Sequence, residues 1–161
     1  MPEHQTVNPH STAKIAGHPI HPMIIPFPIA FFVSTFVTDL IYLNTGQAGF
    51  ATASKWLLAA GIAGALLAAL MGFIDFAGDR MIRSLKQAWL HLGGNLLAVA
   101  LEAVNLYLRA APGPSVATTG ETVLSGVVVA LLLFNGWMGW EMVYRKHVGI
   151  LDDTEAGIGS R

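Results

Sequence analysis

Two histidines three residues apart, His18 and His21, lie in the run Gly-His-Pro-Ile-His-Pro-Met at positions 17–23. In a helix this spacing puts both imidazoles on one face. In a proline-rich turn the same spacing still lets them converge. Pro19, Pro22, Pro26 and Pro28 stiffen the segment and remove backbone donors. An ordinary helix start needs neither four prolines nor two histidines. Imidazole suits Zn, Fe and Cu, carboxylate suits Mn, and histidine also ligates haem iron. Further candidates for such a site are His91 and the acids Asp75 and Asp79, four residues apart on one helical face. The chain has no cysteine, which excludes disulfides, thiolate zinc sites and cysteine-ligated iron–sulfur clusters.

A second set of polar residues is separate from the first. His91, Asn95, Glu102 and Asn105 fall within about 80° of arc at ~100° per residue, so one narrow stripe of a helix carries them all. Asp39, on another stretch, lies at similar depth to Glu102. Asp39, Asn95, Glu102 and Asn105 are therefore read as a polar relay or as packing glue between helices. Lys55 and Arg109 flank them.

The elements that must position these residues are apolar. Of 161 residues, 53% are hydrophobic and 12% charged, about half the ~25% of an ordinary soluble domain. The hydrophobic residues gather in four stretches, Met23–Leu43, Trp56–Ala77, Ala88–Leu108 and Val123–Val143, each with a single acid: Asp39, Asp75, Glu102 and Glu141. Each is near the ~20 residues that a helix needs to cross a ~30 Å hydrocarbon core. The fold expected is an all-α integral membrane protein, a four-transmembrane-helix up-down-up-down bundle over residues 17–145. Polar tails at 1–16 and 146–161 flank it. Residues 1–16 have no apolar core, so no cleavable signal peptide is expected. The connections are polar, the last carrying the breaker run at 111–115. No tandem repeat is visible.

Orientation follows from the basic residues. Lys14, Arg80, Arg83, Lys86, Arg145, Lys146 and Arg161 fall on one side, and Lys55 and Arg109 on the other. Seven against two predicts a multi-pass protein of the inner membrane with both termini cytoplasmic. That side would collect His18, His21, His91, Asp75 and Asp79 in one layer, with Arg80 and Arg83 available to pair haem propionates. Asp75 could bind a metal directly or accept the second ring N–H of a ligating histidine. His4, His10 and His147 read as solvated tail residues. The net charge of −1 argues against a nucleic-acid partner. Small residues four apart, Ala60, Gly64, Ala68 and Gly72, mark a close-packing face, within the monomer or as a homodimer seam.

The run 17–23, continued by Ile25-Pro26-Phe27-Pro28-Ile29-Ala30 and Asp39, resembles a bacterial family of predicted membrane proteins, domain of unknown function 2231. Gly72-Phe73-Ile74-Asp75 and His91 with Asn95 are similar too. The resemblance implies a four-span membrane domain without a settled activity. Relatives joined to Rieske-type iron–sulfur domains imply redox company, which a chain without cysteine would need to supply through a bound cofactor, a redox partner protein or quinone. Three functions follow. One is a membrane protein holding a single b-type haem through His91 and either His18 or His21, in electron transfer. The second is a non-haem Zn, Fe, Mn or Cu site built from His18, His21, His91, Asp75 and Asp79. The third is a structural or partner-binding subunit whose polar groups lock the helices.

Overall fold

The computed structural model describes residues 8–110 and 118–151. His4, Arg161 and the breaker run at 111–115 lie outside them.

The described chain opens with a strap, residues 8–19. It ends in a small antiparallel hairpin, β1 (Lys14–Ile15) on β2 (His18–Pro19). The turn between them takes Ala16 and Gly17 to φ of 49° and 82°. Helix α1 (Ile20–Ile24) runs into α2 (Pro26–Thr45) across Ile25. The junction stays nearly helical, with Ile25 N–H donating to His21 O and Ile29 N–H to Ile25 O. Pro26 and Pro28 bring no N–H, so the ladder thins there. Gly46, at φ 67°, ends α2 in the left-handed conformation, and only two residues separate it from α3 (Ala48–Gly78). Asp79 caps the short α4 (Arg80–Ser84), its Oδ1 accepting from Met81 N–H at 2.7 Å. Then come α5 (Lys86–Ala110) and α6 (Thr119–Trp140), the latter started by a Thr118/Glu121 capping box. A π-helical turn, Glu141–Arg145, closes α6.

The helices pack in two pairs, α2 on α3 and α5 on α6. Secondary seams run between α2 and α6 and between α3 and α5. Backbones approach closely where side chains are missing. A Cβ on Gly61 would meet the Phe32 ring at 2.6 Å, and one on Gly64 would meet Pro28 at 3.4 Å. From Gly64 through Ala68 to Gly72 the small-residue row of α3 is thus covered by α1 and α2 of the same chain, while Ala60 stays exposed.

The distribution of polarity is that of a membrane protein. Asp39, Ser54, Glu102, Asn105 and Ser125 are fully buried, while Leu66, Leu70, Leu97, Leu133 and Trp56 lie more than half exposed. Polar groups that must find partners go inside, and aliphatic side chains go to the lipid. Among the described residues, three segments are long and apolar enough to span: Ile20–Thr45, Ala48–Gly78 and Thr119–Arg145. Helix α5 has 25 residues, about 37 Å at 1.5 Å each, but its polar stripe lowers its hydropathy.

Two expectations differ from the structure. Helix α3 begins at Ala48 rather than near Trp56, because residues 48–55 hold three alanines, the best helix formers, and no proline to stop the helix. Residues 8–16 do not trail free. Ser11 and Ala13 are buried, and Gly149 N–H donates to Pro9 O at 2.8 Å, joining the strap to the segment after the π-helical turn.

Gly61→Val should lower the thermal midpoint in detergent by an amount equivalent to about 1–3 kcal/mol, the usual cost of overpacking. Gly49→Ala, with nothing within 4 Å, should leave it unchanged.

Candidate functional site

The interior holds two polar layers with an apolar one between. Following each helix from the strap end, the order is His21, Phe32, Asp39 on α1–α2 and His91, Ala98, Glu102 on α5. On α6 it is Asn135, Val128, Ser125. Phe32, Ala98 and Val128, all buried, make the middle layer with Leu58 of α3.

In the strap-end layer, His21 and His91 meet edge to face. Their ring centres are 6.2 Å apart with planes at 84°. Each ring is held by a backbone carbonyl of the neighbouring helix. His21 Nδ1 lies 2.7 Å from Ala68 O, and His91 Nδ1 lies 3.0 Å from Asn135 O. A carbonyl can only accept, so in each neutral ring Nδ1 carries the proton and Nε2 keeps a free lone pair. A mid-helix carbonyl is normally shielded by the side chain four residues on. Here those residues are glycines. A Cβ on Gly72 would stand 2.9 Å from His21 Nδ1, and one on Gly139 would stand 3.4 Å from His91 Cε1. The same device therefore positions both imidazoles: a carbonyl at i and a glycine at i+4.

The other sequence candidates are elsewhere. His18 is exposed and turns back on Ala16 O at 2.9 Å. Asp75 Oδ1 accepts from Ser11 Oγ and from the backbone N–H groups of Thr12 and Ala13, at 2.7–2.9 Å. Asp79 Oδ2 accepts from His10 N–H at 2.7 Å. Both carboxylates hold the strap against the end of α3, and neither bonds to His18, His21 or His91. Among the described residues no three His, Asp or Glu side chains gather as a metal site. Arg80 is exposed, and Arg83 donates to the carbonyls of Phe76 and Ala77 at the end of α3. Phe27 and Phe73 face outward. Asn95 accepts weakly from Asn135 Nδ2 at 3.4 Å.

The second layer is a saturated ion pair. Arg109 Nη1 and Nη2 reach Asp39 Oδ1 and Oδ2 at 2.8 and 2.6 Å, with both side chains at most 2% exposed. Arg109 also donates to Ser54 Oγ, Ser125 Oγ and Asn105 Oδ1, which uses all five of its N–H groups. Asp39 accepts in turn from Ser54 and Ser125. Asn105 Nδ2 donates to Glu102 Oε2 at 2.8 Å and to Ser125 Oγ at 3.0 Å. One connected set thus joins α2, α3, α5 and α6. Arg109, read as flanking this set from the far-side connection, instead turns inward and is its centre. Its signal was its place on the stripe, four residues after Asn105.

Both facing pairs join positions 70 apart: His21 with His91, and Asp39 with Arg109. The two supporting carbonyls and the two glycines repeat one spacing of 67. The chain is thus two helical hairpins with matching positions, although no repeat shows in the residues themselves. A family model described as a predicted membrane protein, DUF2231, matches residues 17–152.

The chain belongs to the DUF2231 family. Both layers of this DUF2231 protein fall inside the matched region. No curated protein and no solved structure matches it.

Replacing Arg109 by Leu would leave Asp39 buried without its cation. The expected loss is about 3–5 kcal/mol of stability, as for other buried pairs stripped of one partner. Asp39→Asn with Arg109→Gln should recover part of it. Unfolding of both variants in detergent checks this.

Proposed function

We propose that this protein is a four-span helical bundle, with α5 as the fourth span, that holds one redox-active metal centre between His21 and His91 for electron transfer. The opposed imidazoles carry the reading. Two imidazoles on opposite sides of one metal, at about 2.0–2.1 Å from nitrogen to metal, have ring centres roughly 6 Å apart. Rings on adjacent coordination positions come closer. The 6.2 Å separation supports the opposed arrangement. So does the anchoring of each Nδ1 on a carbonyl, which is how ligating histidines are commonly oriented and made more basic.

Haem iron and a bare ion both take an imidazole pair. His21 and His91 would hold the iron of a haem b through their Nε2 atoms. The other residues supply less for its periphery, since Arg83 is already bonded and Phe27 and Phe73 face outward. A bound centre would supply one-electron chemistry, and the bundle would supply ligand orientation and a dry surround. The lipid bilayer is the one partner that the exposed aliphatic faces require. Orientation rests on charge. With Arg109 inside the bundle, the far side keeps Lys55, whereas Lys14, Arg80, Arg83, Lys86, Arg145 and Lys146 gather at the strap end, which we place in the cytoplasm.

The test is the visible spectrum and metal content of detergent-purified protein supplied with haem and, separately, with Zn, Fe, Mn and Cu. Haem bands identify one source of the metal, and stoichiometric Fe, Mn or Cu without them identifies the other, whereas binding of Zn alone, which carries no redox chemistry, overturns the electron-transfer role. Binding of neither overturns the proposal. His21→Ala and His91→Ala should each reduce occupancy at least tenfold, while His18→Ala and His147→Ala should not change it. Gly72→Ala, whose methyl crowds His21, should lower occupancy more than Gly139→Ala. Reporter fusions after Gly46, Arg83, Val116 and Arg161 should alternate outside, inside, outside, inside. A carboxy terminus outside would refute the orientation.

A further inference from the structure

We propose that Glu102 is a proton-binding site within the bundle, an acid that takes up and releases a proton beside an ion pair that keeps its charges. Glu102 is fully buried. Its Oε2 accepts one bond, from Asn105 Nδ2 at 2.8 Å. Its Oε1 has no partner among the described residues. The neighbouring acid is the opposite case. Asp39 accepts four hydrogen bonds and takes the guanidinium of Arg109 in a two-pronged pair.

The charges around Glu102 decide its state. Helix α2 contributes Asp39, and α5 itself contributes Arg109. Helix α3 adds the hydroxyl of Ser54, and α6 adds the hydroxyl of Ser125 and the carbonyl of Glu121. The layer therefore holds two acids and one cation, and Asp39 already has the cation. An ionised Glu102 would leave a net negative charge in a fully buried layer, which is costly. A proton on the carboxyl removes that charge.

A metal cation does not fit as well. Hard cations want several oxygens at once, and both Asp39 oxygens and both serine hydroxyls are committed to Arg109. Oε1 stands alone. It marks where the proton and its exchange partner meet the carboxyl. Asn135 Oδ1, the other buried side-chain oxygen without a partner, lies on the same α5–α6 seam toward His91. Buried polar atoms left unpaired by side chains are where internal water is expected. This proposal does not rest on the metal centre, and its test reads the carboxyl directly.

The experiment is infrared spectroscopy of the full-length protein in liposomes, made with isotope-labelled glutamate and titrated from mildly acid to mildly alkaline pH. The expected result is a protonated-carboxyl band that shifts with the glutamate label and in heavy water. It should fade as pH rises and be lost in Glu102→Gln, but persist in Glu121→Gln and Glu141→Gln. If Glu102→Gln does not fold, Glu102→Asp decides, since the label-sensitive band should vanish and an unlabelled acid band replace it. Absence of a label-sensitive band, its survival in Glu102→Gln, or a band that never titrates overturns the proposal. So does a band that moves when sodium replaces choline at constant pH, which would mean a metal cation in place of the proton.

Discussion

A guanidinium and a carboxylate taken out of water each lose several kcal/mol of solvation, and their attraction repays this only when every donor and lone pair is met. Arg109 and Asp39 meet that condition. Five N–H groups and two carboxylate oxygens are satisfied by one another, by two serines and by an asparagine. Because those partners come from four helices, the ion pair fixes the mutual rotation of α2, α3, α5 and α6. Lipid-facing leucines cannot do this, since apolar side chains gain little by choosing a helix over a lipid tail.

With rotation fixed at one end, the histidine layer at the other follows. Helix α5 carries both Arg109 and His91 on one stripe, and α2 with α1 carries both Asp39 and His21. Each ring then meets a carbonyl that a glycine has uncovered. The glycines in α3 thus serve two purposes. Gly61 and Gly64 let backbones approach, while Gly72 opens a hydrogen-bonding group that a helix normally hides.

Much of this was legible in the residue pattern. The apolar stretches and the inward stripe of α5 follow from helical periodicity, and Glu102 and Asn105 lie buried on that stripe. The two acids at the end of α3 were not legible. Asp75 and Asp79 share a face with ligand-like spacing, but their partners are one hydroxyl, of Ser11, and the backbone amides of His10, Thr12, Ala13 and Met81, and amides carry no side-chain signature. Arg109 was hidden for a related reason. A cation at the boundary of an apolar stretch reads as a loop charge, and only a partner 70 residues earlier reveals that it turns inward. His18 and His21 looked equivalent by spacing. The left-handed turn at Gly17 and the start of α1 at Ile20 separate them, one to the surface and one to the interior.

The separation of 70 residues between Asp39 and Arg109 also bears on biogenesis. At about 5–20 residues per second, translation delivers the arginine several seconds after the aspartate. During that interval the first hairpin has only Ser54 to offer Asp39, and its histidine has no facing ring. Helices α2 and α3 are both long and apolar enough to span a bilayer, but the groups that complete the polar layer, Asn105, Arg109 and Ser125, all lie in the second half of the chain. The layer therefore cannot close until that half has been made.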